Sequence, residues 1–483
     1  MIDTKALRSK VLDLAVQGKL TEQLESDGTA EELYQQIQEE KQKLIKEGKI
    51  KKEKALQPIS NEEIPFEIPS NWKWVHVGEI FQHNTGKALN SSKTDGELLE
   101  YITTSNVYWD KFDFKVIKKM PFTESEIEKC TITKGDLLIC EGGDIGRSAI
   151  WSFDYDMRIQ NHLHRLRGYL PEISHKYYFY MMRMYKHSGL IDGRGIGLQG
   201  FSSTRVHNLV IPLPPFAEQQ RIVERVEEIF KYLNIIDEAQ KKYSADAEIL
   251  KSKLITMGIQ GKLTKQLDSD GTAEELYQQI QEEKQKLIKE GKIKKEKALQ
   301  PVADEEVPFE IPSNWRWCRF GEILNIVSAK RVHQSDWQTS GVPFYRAREI
   351  SKLCENGYVN NDLYISEELY KEYSKFGIPK AGDLMISAVG TLGKSYIVKE
   401  TDKFYYKDAS VLCIENIGKI SSVFLSYILK SEMMKKQIKS NSTGTTVDTL
   451  TMIKLIQYYI PLPPLTEQKR IADTLDEVLR VIG

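Results

Sequence analysis

The stretch FAEQQRIVERVEEIFKYLNIIDEAQKKYSADAEILKSKLITM, residues 216–257, contains neither glycine nor proline and directly follows Pro214 and Pro215. Its apolar residues recur at alternating spacings of four and three, which is typical of the seam of a coiled coil. At about 1.5 Å per residue the stretch predicts one helix of roughly 60 Å. A lone amphipathic helix buried on a core is the alternative. The predicted seam comprises Ile222, Val226, Ile229, Leu233, Ile236, Tyr243, Ala247, Leu250, Leu254 and Met257.

The two ends of the chain resemble the two halves of this helix. We therefore predict that the terminal helices together pack antiparallel against the central helix, in a pseudo-circular molecule with an approximate two-fold axis. Positions 235–243 have no counterpart in the ends. The matching residues are Ile471, Leu475, Val478 and Ile482 for Ile222, Val226, Ile229 and Leu233, and Leu7, Val11 and Leu14 for Leu250, Leu254 and Met257.

A long internal repeat surrounds the helix. Residues 19–58 recur as 262–301, with Glu22 replaced by Lys265 and Glu25 by Asp268. Within each copy a Thr-x-x-Glu capping box predicts the start of a short helix. The charged exit KEGKIKKEK is interpreted as a solvated helix tip rather than a nucleic-acid patch, because glutamates interleave the lysines. The repeat also includes 7–20 with 250–263, 65–80 with 308–323, and 210–230 with 459–479.

The segments between the repeats, 72–210 and 315–459, differ from each other but share a faint skeleton. GDLLICEGGDIGRSAI at 135–150 aligns with GDLMISAVGTLGKSYI at 382–397. The sequence predicts two versions of one α/β module, related by a pseudo-two-fold axis and joined by a long antiparallel coiled-coil spacer. The predicted boundaries are conserved helices at 1–64, a first module at 65–211, a central helix and spacer repeat at 212–307, a second module at 308–460 and a conserved helix at 461–483.

The composition is that of a soluble globular protein. Hydrophobic residues make up 40% of the chain, the net charge is −1, and five scattered cysteines show no metal or disulfide spacing. We expect reduced thiols in a cytosolic protein. No apolar run reaches the roughly 18–20 residues that a membrane span needs.

Three short patterns suggest enzymes, and each has a simpler explanation. Residues 388–395 satisfy a relaxed phosphate-loop pattern through Lys394, but the following residues predict a strand where a phosphate loop needs a helix. Residues 213–216 resemble the catalytic loop of adenine methyltransferases, yet Leu213 has no side-chain acceptor, so proline-led helix initiation is favoured. His162 and His164 lack a third ligand, which disfavours a metal site.

The order of the motifs resembles one known family. Two variable modules are each closed by IPLPPxxEQxRI and a heptad helix, and each repeat carries GKLT and IPxxWxWxxxGEI. This arrangement is similar to the DNA-specificity subunit of type I restriction–modification systems over essentially the whole chain. The resemblance implies a non-catalytic subunit in which each module is a target recognition domain for one half of a split site in double-stranded DNA.

The resemblance also implies the partners. Two methyltransferase (modification) subunits would bind along the conserved regions, and restriction (translocase) subunits would join them in the bacterial or archaeal cytoplasm. S-adenosylmethionine, ATP and magnesium would belong to those partners, with no cofactor or metal in this chain. The alternatives are a coiled-coil scaffold without DNA contact and a phosphate-loop enzyme that uses Lys394.

Polar loop residues are the candidates for DNA contact, because Arg, Lys, Asn and Gln suit base edges and phosphates. Arg147 and Lys394 occupy matching positions and are predicted phosphate contacts. The repeated tryptophans Trp72, Trp74, Trp315 and Trp317 are interpreted as packing residues at the module–coil junction. The other candidates are Thr104, Ser105, Asn106, Gln160, Asn161, Arg194, Gln199, Ser203 and Thr204 in the first module, and Tyr345, Arg346, Arg348, Lys407, Thr443, Thr445 and Thr446 in the second.

Overall fold

The structure is a computed structural model, and it describes residues 1–89, 95–191, 201–375, 377–390, 392–440 and 449–482. The chain divides into two compact units, Met1–Lys241 and Lys242–Gly483. The boundary between the units lies inside one continuous helix. Each unit therefore contains one copy of the repeat, one module and one part of that helix.

The first unit is an α/β structure. Its helices are α1 (Thr4–Val16), α2 (Ala30–Lys46), α3 (Val77–Ile80), α4 (Glu124–Cys130), α5 (His175–His187), α6 (Ser203–His207) and the first part of α7 (Phe216–Ile259). Its strands are β1 (Lys73–His76), β2 (Phe81–Thr85), β3 (Glu97–Ile102), β4 (Val107–Tyr108), β5 (Lys111–Phe112), β6 (Lys118–Phe122), β7 (Thr131–Ile132), β8 (Leu137–Cys140), β9 (Ser148–Ile150), β10 (Met157–Ile159), β11 (Leu163–Gly168) and β12 (Val210–Leu213).

The second unit contains the rest of α7 and a similar set of elements. Its helices are α8 (Ala273–Lys289), α9 (Phe320–Ile323), α10 (Ala347–Asn356), α11 (Glu367–Ser374), α12 (Ser422–Lys430), α13 (Glu432–Ser440), α14 (Met452–Leu455) and α15 (Leu465–Ile482). Its strands are β13 (Arg316–Arg319), β14 (Asn325–Val327), β15 (Val342–Tyr345), β16 (Tyr364–Ile365), β17 (Leu384–Ser387), β18 (Ser395–Ile397), β19 (Tyr405–Tyr406), β20 (Val411–Glu415) and β21 (Tyr459–Leu462).

The two modules share a sheet plan. An antiparallel sheet has the order β2-β11-β8-β9 in the first unit and β14-β20-β17-β18 in the second. A second sheet contains one parallel pair, β3 with β10 and β15 with β19 respectively. The faint skeleton in the sequence therefore reflects one module architecture in both units.

In the first unit, α1 packs antiparallel against the first part of α7. Arg8 Nη2 donates to Asp237 Oδ2 at 2.7 Å near one end of the pair, and Thr21 Oγ1 donates to Glu218 at the other. Leu12, Ala15 and Val16 face a core that also contains Ile222 and Val226 and residues of the module. Helices and module thus share one hydrophobic core.

In the second unit, α15 packs in the same way against the last part of α7. Ile255 and Ile259 share a core with Ile471 and Leu475. A Cβ added at Gly258 would lie 3.1 Å from Leu475 Cδ1, so the two helices approach closely at this glycine. Both terminal helices therefore contact α7 within their own units.

The predicted seam residues are buried or half-buried in the first part of α7, whereas several of those in the last part are exposed. Leu250 is 46% exposed and Leu7 is 43% exposed, whereas Ile255 is 8% exposed. A strict heptad repeat drifts by about 20° per heptad on a straight helix, so five heptads from residue 222 misplace the face by about 100°. The buried residues of the predicted seam are Ile222, Val226, Leu233, Ile471 and Leu475. The half-buried ones are Ile229, Ile236, Val11, Leu254 and Val478, and further exposed ones are Tyr243 and Met257.

A buried glutamate joins repeat, module and long helix in each unit. Trp72 Nε1 donates to Glu218 Oε2 at 2.7 Å, and Trp315 Nε1 donates to Glu467 Oε2 at 2.8 Å. Burial raises the pKa of Glu218, against the hydrogen bonds from Trp72 and Gln23. The interpretation of Trp72 and Trp315 as packing residues is confirmed.

The next residue along each helix fixes the module. Gln219 Oε1 accepts from the backbone N of Ser174 at 2.9 Å, and Gln468 Oε1 accepts from Ser421 N at 3.0 Å. Ser174 and Ser421 are the N-caps of α5 and α12. Because α7 begins at Phe216, immediately after the prolines, residues 213–216 initiate a helix, as predicted.

The corrected face of α7 predicts unequal costs for two truncations. Ile255→Ala should lower the free energy of unfolding by about 2–4 kcal/mol, because it leaves a cavity against α15. Leu250→Ala should cost less than about 0.5 kcal/mol, because the side chain is exposed. Urea unfolding of both variants measures the difference in the free energy of unfolding. Equal losses for the two variants would support the predicted heptad seam and contradict the observed packing face of α7.

Candidate nucleic-acid interface

The carboxyl ends of the parallel strands bring predicted contact residues together in each module. In the first, Gln160 follows β10, and its backbone N donates to Ile102 O at the end of β3 at 3.0 Å. In the second, Lys407 follows β19, and its N donates to Tyr345 O at the end of β15 at 2.8 Å. Gln160 and Lys407 therefore occupy equivalent places with different chemistry.

The loop after β3 in the first module contains three predicted residues. Ser105 is exposed, and Thr104 is half-buried. Asn106 is buried, and its amide donates to the carbonyls of Asp113 and Val116 at 2.8 and 2.9 Å. The side chain of Asn106 thus holds the loop, and the prediction of DNA contact remains with Ser105 and Thr104.

Arg147 supports the same loop. Its Nη2 donates to Thr104 O at 2.6 Å, and its guanidinium lies 5.1 Å from the centre of the Tyr108 ring. The predicted phosphate contact stays a prediction. Asn161 is half-buried, and Ser203 and Thr204 are exposed on α6. Arg194 and Gln199 lie outside the described residues.

The matching hairpin of the second module contains Lys394. Strand β17 pairs antiparallel with β18, so a strand follows the glycine turn. Lys394 Nζ lies 3.1 Å from Glu355 Oε1. A phosphate loop needs a helix at this place, so the geometry does not suit nucleotide binding.

The loop after β15 contains two of the predicted arginines. Arg346 and Arg348 lie at the start of α10, and both contact Glu349 and Asp362. Tyr345 stacks on Phe404 with 4.8 Å between ring centres. Burial raises the pKa of Tyr345, so its hydroxyl remains a neutral donor near neutral pH. Thr443, Thr445 and Thr446 lie outside the described residues.

Strands β2 and β11 and helix α6 of the first module contribute a histidine cluster that was not predicted from the sequence. His83 Nε2 lies 3.0 Å from His164 Nδ1, and His164 Nε2 donates to Phe201 O at 2.8 Å. The ring of His207 stacks on His83 with 5.9 Å between centres. Their sequence separation gives no local signal, and the described residues contain no group that could hold a metal.

The corresponding cluster in the second unit is apolar. Strand pairing places Ile326 where the first unit has His83, and Leu412 where it has His164. Ile456 contacts Gly321 in the way that His207 contacts Gly78. The two modules therefore differ in the chemistry of this internal layer.

A comparison with known families decides what these modules belong to. The family model described as the type I restriction modification DNA specificity domain matches residues 69–243 and 312–482. The chain belongs to this family. It is a DNA-recognising specificity subunit, and catalysis lies in the partner subunits of such systems. The DNA-free scaffold and the phosphate-loop enzyme are not favoured.

Individual relatives agree over nearly the full chain. The EcoAI specificity subunit of Escherichia coli is 27% identical, over 99% of this chain and 89% of that protein. The EcoEI specificity subunit of Escherichia coli is 26% identical over the same shares. A solved structure concerned with complex assembly and conformational transition of the type I R-M system has a TM-score of 0.57 at 19% identity, covering 86% of this chain and 92% of that one. Among helices of the described residues, none combines the length and apolar character of a membrane span.

The histidine cluster predicts that the first unit is sensitive to acid. Burial lowers the pKa of His83 to about 3, and Arg165 adds to this effect. Burial also lowers the pKa of His164. It lowers the pKa of His207 as well, although Glu53 near His207 acts in the opposite direction. The unfolded chain takes up these protons near pH 6.5, so the folded state should lose up to about 1.4 kcal/mol per pH unit per histidine as the pH falls from 6.5.

Hydrogen exchange at pH 7.5 and 5.5 measures this loss. The strands of the first unit should lose protection at pH 5.5, and those of the second should lose less. The variant H83I/H164L/H207I copies the second unit and should remove most of the difference. Equal acid sensitivity in the wild-type protein and this variant would contradict the assignment.

Proposed function

We propose that this specificity subunit reads a split DNA target, with one half recognised by each module. The supporting observation is that equivalent strand ends carry different side chains: Ser105 and Gln160 in one module, Arg348 and Lys407 in the other. Base edges are distinguished by such donors and acceptors. One architecture with two sets of contact residues suits the reading of two different short sequences.

The gap between the half-sites would be set by α7. Its 44 residues correspond to about 66 Å at 1.5 Å per residue. With modules docked inward from its ends, half-site centres would lie on the order of 35–55 Å apart, or about one to one and a half turns of DNA. The terminal helices would complete the coil in a pseudo-circular arrangement.

The partners would be two copies of a methyltransferase subunit, joined by restriction (translocase) subunits. Helices α2 and α8 carry the same sequence, AEELYQQIQEEKQKLIK, including its exposed residues. Two copies of one partner would contact two such surfaces in the same way. S-adenosylmethionine, ATP and magnesium would be bound by these partners. A complex that acts on chromosomal DNA would be located in the cytoplasm.

The exposed apolar side chains of α7 are a further candidate contact for the methyltransferase. Tyr232 and Ile235 are exposed in the first unit, and Tyr243, Leu250 and Met257 are exposed in the second. Exposed apolar residues at helical spacing suit packing against helices of another chain. Contact with a partner helix would account for the seam-like apolar pattern at these exposed positions.

Lengthening α7 tests the spacer. An insertion of seven residues within 235–243 should add about 10 Å and so lengthen the unread gap by about three base pairs. Sequencing of methylated DNA from the assembled complex should give the same two half-sites, farther apart. A change in the bases read would contradict the spacer role, whereas a DNA complex without sequence selectivity would contradict the split-site proposal itself.

A charge on the exposed face of α7 tests the partner contact. Leu250→Glu should weaken binding of the methyltransferase subunit about tenfold or more, because it buries a carboxylate in an apolar interface. The stability of the free subunit should not change. Titration calorimetry measures the affinity, with Lys253→Gln as the matched exposed control. Equal affinities for the two variants would place the partner elsewhere.

A further inference from the structure

One position in each module stands out when the units are compared strand by strand. The loop after β3 begins with a cap in which Thr103 N donates to Asn106 Oδ1 at 2.9 Å. The loop after β15 begins with the same cap, in which Arg346 N donates to Glu349 Oε2 at 2.9 Å. Both strands are the first members of the parallel pairs. Residues 103–106 and 346–349 are therefore structurally equivalent.

Within these caps, Ser105 corresponds to Arg348. Both side chains are exposed and follow the end of the strand by the same number of residues. The backbone that carries them is held by the same hydrogen bond in both modules. The chemistry at this position is thus exchanged while its geometry is kept, which is expected of a position that determines specificity.

The capping residue changes together with its neighbour. Glu349 is fully buried and receives hydrogen bonds from Arg346 Nη2 at 3.0 Å and Arg348 Nε at 2.6 Å. Burial raises the pKa of this carboxyl, but the two arginines hold its pKa below the ordinary value. Asn106, its counterpart, is neutral, and its amide donates to the backbone carbonyls of Asp113 and Val116. In the second module, the carboxylate at this position accepts hydrogen bonds from two arginine side chains.

The network fixes the direction of Arg348. Its Nε donates to Glu349 and its Nη2 donates to Asp362 at 2.9 Å, so one edge of the guanidinium is occupied. Within the described residues, Nη1 and the second N–H of Nη2 have no protein partner. These remaining donors form the end-on fork that can bind two acceptors in one plane.

The charge of the network favours a base over a phosphate. Two arginines and two carboxylates sum to no net charge, so the cluster offers little general attraction to the DNA backbone. A neutral cluster with a fixed fork instead suits paired acceptors at a defined position. Guanine O6 and N7 in the major groove are such a pair, and they are the commonest specific partner of arginine.

We propose that Arg348 determines specificity in the second half-site by reading a guanine, and that Glu349 and Asp362 are the residues that position it. The proposal rests on the proposed function of the modules as DNA readers. In the first module, Ser105 takes the equivalent place and cannot supply a bidentate fork. The two half-sites should therefore differ in their requirement for guanine at this contact.

The assembled complex with its methyltransferase subunits tests the proposal on a DNA library randomised across both half-sites. The wild-type complex should require guanine at one position of the second half-site. Arg348→Ala should relax the preference at that position by about 5- to 150-fold and leave the first half-site unchanged. Glu349→Gln should relax the same position to a smaller extent, since the fork loses its orientation but remains present. Ser105→Ala is the matched control and should leave the second half-site intact.

The outcomes distinguish the proposed role of Arg348 from the proposed reading of DNA by the two modules, on which it rests. A uniform loss of affinity for all sequences with Arg348→Ala, with a weaker salt dependence, would make the residue a phosphate contact and overturn the inference. Unchanged selectivity at every position would also overturn it. Loss of all sequence selectivity already in the wild-type complex would instead refute the reading of DNA by the modules. Thermal unfolding of each variant is the control for folding, and Arg348→Ala, at an exposed side chain, should leave the unfolding temperature unchanged.

Discussion

A buried carboxylate in the first turn of a long helix holds each unit together. Glu218 and Glu467 each accept a hydrogen bond from a tryptophan indole and from a glutamine of the GKLT segment, at a point where repeat, module and helix meet. A buried carboxylate without donors costs several kcal/mol, so all three parts must be in place together. Because of this constraint, the module is fixed to the helix and is not attached to it through a flexible linker.

That constraint explains why some parts of the chain are repeated almost unchanged while the modules differ. The motifs that surround the carboxylate recur almost unchanged, because the geometry of the junction is required twice. The loops that we propose to read DNA lie at the carboxyl ends of parallel strands, where a cap on the backbone keeps the loop in place whichever side chain it carries. Ser105 and Arg348 can therefore differ without disturbing the junction. The same separation allows the inner layer of one module to contain histidines where the other contains Ile326 and Leu412.

Much of this organisation could be predicted from the sequence, and the failures have physical causes. Repeats, capping boxes and the proline-led start of α7 are local signals, and they were correct. The face of α7 beyond Gln240 was wrong, because a heptad count carried over five repeats accumulates rotation that a straight helix does not follow. The histidine cluster and the link between Arg348 and Asp362 join residues distant in sequence, so only strand pairing brings them together. Asn106 was predicted to contact DNA, but it is buried and its amide donates to two backbone carbonyls of the loop.

The central claim is that two unlike readers are held at one set distance. Methylome sequencing of host strains with and without this gene tests it most directly. The account predicts a methylated motif that depends on the gene and consists of two short sequences separated by a constant number of unread base pairs. A single contiguous motif, or two half-sites whose separation varies from one methylated locus to the next, would contradict it.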